Sequence, residues 1–255
     1  MKEARILLAG LVSLLGFLDT ASGQILPITI GPSVTKFLSQ TNAFTAEADL
    51  YQGGGLMAVR FFYDHGKTRA EMDLSRLVAT DAIIKETMDE SFREMMRKVG
   101  TDLAVTIFNP VKKSAYLIYP KLKSYAEVRL GAEAAKELEN IPKPESAVEL
   151  GHETISGHPC IKNKVTFAEE REFERQEIWG LRPEKTEGFV WNAVDEHGLP
   201  MKFDGYVNSG KLTLILKEMK PGKTETKLYE PPSGYRKFDS LEALMQAKVR
   251  FPDRK

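Results

Sequence analysis

The feature that most constrains this chain is a long succession of short stretches in which apolar and polar residues alternate, separated by tight-turn residues. Phe44, Ala46, Ala48 and Leu50 alternate with Thr45, Glu47, Asp49 and Tyr51, a period of two that gives a strand one apolar and one polar face. Stretches 56–63 and 67–74 flank Asp64-His65-Gly66, where Gly66 is free to take a positive φ, as a hairpin turn requires. The pattern recurs at 103–108 and 114–119 around Asn109-Pro110, and again at 124–129. It returns at 148–155 and 160–167 around Ser156-Gly157-His158-Pro159. A meander of 189–195, 199–207 and 212–219 then turns at Glu196-His197-Gly198 and Asn208-Ser209-Gly210.

Helical periodicity is sparse. The spacing predicts a helix over 81–99, capped by Thr80 or Asp81 and stopped at Gly100, with Ile83, Ile84, Met88, Phe92, Met95, Met96 and Val99 on one face. Shorter helices are expected at 131–139 and, capped by Ser240, at 241–249; residues 228–236 read as extended around Pro231-Pro232. There are no alternating βαβ units and no short-period repeat. The expected class is therefore mainly β with α (α+β), built on one large antiparallel sheet. Strands twist, so such a sheet curls into an incomplete barrel, with helices plugging its open side. An apolar cavity fits naturally under such a plug.

The start of the chain reads as a secretory signal peptide over 1–23. Lys2 and Arg5 precede an apolar run at 6–18, and Ala21-Ser22-Gly23 supplies small residues for cleavage after Gly23. The alternative is a membrane anchor, but the run is short of the roughly 20 residues a bilayer requires. A lead-in over 24–42 and a single domain over 43–250 complete the expected organisation, with a periplasmic location. One cysteine, Cys160, excludes an internal disulfide. A formal net charge of zero argues against nucleic acid as a partner, because phosphate binding needs a basic surplus.

Four segments carry a family resemblance: Gly66-Lys67-Thr68-Arg69-Ala70-Glu71; Ile107-Phe108-Asn109-Pro110 with Ala115-Tyr116-Leu117-Ile118-Tyr119-Pro120; Glu153-Thr154-Ile155-Ser156-Gly157-His158-Pro159-Cys160; and Trp191, Gly198-Leu199-Pro200 and Pro232-Ser233-Gly234-Tyr235. In this order and spacing, over roughly residues 43 to 238, the chain resembles the LolA-like superfamily of periplasmic and lipoprotein-sorting proteins. Within it, the chain looks nearest to a branch described only as a domain of unknown function. The resemblance implies a half-barrel closed by helices over a hydrophobic cavity that takes lipids or lipoprotein acyl chains. It also implies that Arg69 corresponds to the arginine that holds the helical lid shut; the plainer reading is an outward-facing strand arginine. The charged stretch 169–183 and the methionine-rich helix depart from the family pattern.

Residue type and pattern nominate Phe61, Tyr63, Met88, Phe92, Met95, Tyr116, Ile118, Trp191 and Phe203 as cavity lining, subject to the one-residue slip that reverses a strand's faces. Methionine adapts to varied apolar ligands, although Met88, Met95 and Met96 also suit an ordinary core face. Lys112, Lys113, Lys121 and Lys123 read as a small basic cluster near Tyr116, Tyr119 and Tyr125, suited to anionic headgroups in peripheral contact with a membrane. A charged edge that deters sheet pairing is the cheaper account. No catalytic motif, metal-ligand spacing or cofactor fingerprint occurs in the sequence, and Cys160 two residues after His158 is not by itself a nucleophile and base. The expected function is a non-enzymatic periplasmic binding protein for a hydrophobic ligand. The alternative is an envelope interaction protein with a filled core and no ligand, docking a partner protein by an edge strand.

Overall fold

The computed structural model describes residues 42–52, 54–80, 89–129, 146–166, 187–196, 198–207, 210–240 and 243–244. The segment read as a signal peptide, the helix at 131–139, the charged stretch 169–183 and Met88 lie outside the described residues. The strands are β1 (Phe44–Gln52), β2 (Gly55–Asp64), β3 (Lys67–Asp73), β4 (Val78–Ala79), β5 (Leu103–Asn109), β6 (Ser114–Tyr119), β7 (Ser124–Arg129), β8 (Ser146–Ile155), β9 (His158–Thr166), β10 (Glu187–Ala193), β11 (Pro200–Val207), β12 (Gly210–Pro221) and β13 (Arg236–Phe238). One helix, α1 (Glu90–Val99), lies between β4 and β5 among the described residues.

All the strands belong to one open sheet in the order β13-β7-β6-β5-β3-β2-β1-β12-β11-β10-β9-β8, with β4 pairing on β2. The pairing is antiparallel except between β13 and β7. Several sequence-adjacent pairs, such as β2–β3 and β8–β9, are joined by tight turns. At His65-Gly66 and at Ser156-Gly157 both residues take positive φ, which matches the turn's twist to that of the strands. The β8–β9 turn also reaches across the sheet, where the Ser156 hydroxyl donates to the Leu216 carbonyl of β12 at 2.8 Å. That contact is consistent with a curled sheet.

The larger core lies on one face, called here the inner face. Across one transect, Ala46 opposes Phe61, Phe61 opposes Ala70, Ala70 opposes Thr106, Thr106 opposes Leu117 and Leu117 opposes Ala126. Across another, Leu50, Leu214, Phe203 and Val190 follow one another, all buried. Helix α1 adds Phe92 and Met96 to this core, with Met95 and Leu77 packed at its margin.

Helix α1 starts later than its periodicity predicts. Asp89 is extended, at φ −66° and ψ 171°, and its carboxylate accepts the Phe92 N–H at 2.8 Å, so a residue expected on the polar face of a longer helix is instead the cap. The stop is as expected: Gly100 takes φ 83° and donates to Met96. Arg93 clamps the helix by donating to the carbonyls of Ser75 and Leu77, at 2.7 and 2.9 Å. The helices expected to plug the open side are represented among the described residues by α1 and by Ala243 and Leu244. The Ser240 hydroxyl accepts the Ala243 N–H at 3.0 Å, as a cap does.

The opposite face carries its own apolar layer over β2, β5 and β6: Phe62, Val105, Ile107, Tyr116 and Ile118, covered by Tyr229 with Leu228 and Tyr235 alongside. The covering segment therefore forms a strap. It holds a short 3-10 turn at Thr226–Tyr229, where an extended run is expected from the sequence, and it ends as β13 beside β7. Lys237 of β13 pairs with Glu127 of β7, which also accepts from Ser114 at 2.9 Å. The hydrogen bond from Lys237 holds the Glu127 carboxyl below the ordinary carboxylate range. A depressed carboxyl contributes stability above its unfolded pKa and loses it as pH falls through the folded value. Acidification below about pH 4 should therefore loosen β13. Amide exchange at 236–238 should accelerate there in the wild type, and a Glu127→Gln variant should show no such acid step.

Candidate functional site

The inner face between the sheet and α1 is the candidate site, because it is where the nominated apolar residues meet a helix. Phe61 and Tyr63 on β2 and Phe203 on β11 all point to it, as their cross-strand partners Ala46, Phe44 and Leu214 show. The Phe44 and Tyr63 rings stack with centroids 5.6 Å apart. Phe92 enters from α1, and Met95 sits half-buried beside it.

The other nominees go elsewhere. Tyr116 opposes Ile107 and Ile118 opposes Val105, which places both under the strap on the outer face; on β6 the inner-face residues are Leu117 and Tyr119. Trp191 opposes Lys162 and Lys202, on the side away from Val190 and Phe203. There the two ammonium groups lie 4.9 and 4.1 Å from its ring centroid, and its indole N–H donates to Glu153 at 2.9 Å. That bond and the Lys162 ammonium hold the Glu153 carboxyl below its ordinary range. The tryptophan is therefore capped by lysines on the side of β10 away from Val190, while it stays buried and in contact with the larger core.

Arg69 is an outer-face residue as well. Its guanidinium pairs with Glu71 at 2.7 Å and donates to the Leu228 carbonyl at 3.0 Å, so it ties down the strap. Asn109 makes the parallel contact, donating to the Tyr229 carbonyl at 3.3 Å. The residue that holds a helix in the described structure is Arg93, which the sequence reading did not single out.

The four lysines read as one basic cluster do not form one patch. Lys112 and Lys113 lie in the β5–β6 turn, whereas Lys121 and Lys123 lie beyond the other end of β6, about 20 Å away along a six-residue strand. Lys112 pairs with Glu230 and Lys121 with Asp102, at 2.7 and 2.6 Å.

Cys160 is fully buried and its thiol donates to the His158 carbonyl at 3.3 Å, while the His158 ring faces Asp195 at 3.1 Å. Desolvation pushes the thiol pKa up, the opposite of what a nucleophile needs. No group of three His, Cys, Asp or Glu side chains among the described residues is arranged to hold a metal ion. No described helix is long and apolar enough to cross a membrane.

A family profile described as "Domain of unknown function (DUF4412)" matches residues 79–181. No curated protein sequence matches the chain. Similar solved structures include an uncharacterized conserved protein from Thermus thermophilus, at 10% identity over 82% of this chain and 96% of that one, with a TM-score of 0.44. Others are the lipoprotein LppX of Mycobacterium tuberculosis, at 11% identity over 87% and 99% with a TM-score of 0.39, and a LolA superfamily protein of Nitrosomonas europaea, at 10% identity over 79% and 98% with a TM-score of 0.31.

Proposed function

We propose that this protein is a non-enzymatic binding protein of the bacterial cell envelope that holds a hydrophobic ligand, a lipid or a lipoprotein acyl chain, between the inner face of its sheet and α1. The observation that carries this reading is the continuous apolar inner face running from β7 to β9, with α1 laid on it through Phe92 and Met96. A helix held mainly by side-chain contacts and the Arg93 clamp separates from a sheet more readily than a strand bonded along its length. The lining assigned by this reading is Phe61, Tyr63, Phe92, Met95 and Phe203. The ligand-laden protein is exported and periplasmic, in keeping with the signal-like start of the sequence.

Native mass spectrometry of the purified protein, followed by organic extraction, tests the reading. A co-purifying acyl lipid near one per chain supports it. A clean mass that stays unchanged after incubation with envelope lipids overturns it. Met95 supplies a sharper test because it is half-buried at the margin. Met95→Asp should abolish lipid uptake while lowering stability by only about 1 kcal/mol; equal loss of both would mean plain core packing.

The second reading, a docking protein without a ligand, has one observation in its favour. Strand β8 closes one edge of the sheet and is exposed on both faces, with Val148 and Leu150 each more than half exposed. An extended segment of another envelope protein can add to such an edge. His152→Pro would abolish that association and leave lipid content unchanged.

A further inference from the structure

Strand β8 ends the sheet, and among the described residues it is bonded only to β9. The opposite edge is guarded: β13 has three residues, and Arg236 and Lys237 are two of them. β8 has ten, and Val148 and Leu150 stand exposed along it. A long free edge with apolar side chains invites another strand.

The sequence of β8 narrows what that strand can be. Its register on β9 shifts between Glu149 and Gly151, so Leu150 is the extra residue of a bulge. The bulge reverses which residues share a face. Before it, Ala147 and Glu149 lie on the side of Val165 and Val190. After it, His152 and Thr154 lie there, and the Glu149 and His152 side chains are 3.9 Å apart. Val148 and Glu153 take the other side, where Glu153 accepts from Trp191.

Strands that pair must set side chains of the same face opposite each other. A second, antiparallel copy of β8 meets that condition over all ten residues when Leu150 opposes Gly151 across a twofold axis. Glu149 then opposes His152, whose ring can donate to the carboxylate. Val148 opposes Glu153 and Ala147 opposes Thr154. No two carboxylates face each other, and every pair occurs twice. A Cβ built on Gly151 meets nothing within 4 Å, which leaves room for the Leu150 side chain of the second copy. Both strands carry the same bulge at the axis, so they bend alike. A slip of one residue sets Glu149 against Gly151 or against Glu153, and either mixes the two faces. We infer that the protein forms a twofold dimer by antiparallel pairing of β8 with β8 of a second copy. This dimer rests on the free edge of the second reading and depends on no ligand.

Light scattering on the purified protein from about 1 to about 200 µM tests it, a range that suits an interface of one strand pair. The mass should rise from one chain to two. His152→Glu sets two carboxylate pairs opposite each other and should weaken the dimer about tenfold. Adding Glu149→Lys to that variant restores opposite charges and should bring the affinity back to within about threefold of wild type. Both side chains are exposed, so neither change should unfold the chain. A wild type that stays monomeric throughout overturns the inference. So does a dimer that His152→Glu leaves intact, or one that the double variant fails to restore. A monomer removes only this occupant of the edge: loss of another envelope protein in His152→Pro would still support the second reading.

Discussion

Replacing Gly205 with alanine should destabilise the protein by about 2 kcal/mol, a large loss for one methyl group. The Phe203 ring lies along its own strand over Gly205 and across to Gly188 on β10, which opposes Gly205. A Cβ built on Gly205 would sit 2.6 Å from the tip of that ring, and one on Gly188 would sit 2.9 Å from its edge. Neither glycine takes a positive φ, so the penalty is purely steric. The ring is 5% exposed and has little room to swing away. Phe203→Leu removes the obstacle, and the double variant should recover most of the loss caused by Gly205→Ala. Urea unfolding of the four proteins in this cycle decides the matter. Simple additivity would mean that the ring is not what fills the space over the glycines.

Phe61→Ala should cost more, about 4 kcal/mol. Phe61 is fully buried in β2, and its neighbours on the two flanking strands, Ala46 and Ala70, are both alanine. Its ring fills the space that three ordinary side chains would share. Neither alanine can extend into the hole left by truncation, so the cavity persists and the loss sits toward the upper end for aromatic deletions. A loss below about 1.5 kcal/mol in equilibrium unfolding would show that α1 collapses into the gap instead.

The sequence was informative where one face of a strand is polar. The alternation from Phe44 to Tyr51 identifies β1 and its inward residues, and the His65-Gly66 turn fixes the register of β2 on β3. It was uninformative where both faces are buried. In β5 and β6, Val105, Ile107, Tyr116 and Ile118 are at least as apolar as the inner-face residues Thr106 and Leu117 between them, because the strap covers the outer face. A period of two then marks a strand without saying which side holds the helix, and Tyr116 and Ile118 were nominated for the wrong side of that choice. The strap itself is irregular, with Pro231-Pro232 and a 3-10 turn, and its position depends on distant contacts such as Arg69 with Leu228. Trp191 misleads for another reason: lysine stems can bury an aromatic ring on a surface that composition alone marks as polar.

The strand order has a consequence for how the chain comes together in time. Most pairings join neighbours in sequence, and the hairpins among them can form within microseconds of their release. The ladder between β1 and β12 joins strands from opposite ends of the described chain, Ala48 opposite Leu216. During synthesis the outer edge of β1 therefore waits for its partner on the order of ten seconds. For that interval a long strand with Ala46, Ala48 and Leu50 along it presents unpaired backbone groups, a template for pairing with other chains. A chain that stops before Gly210 never covers that edge and also lacks the strap over β2, β5 and β6, so truncated products should aggregate.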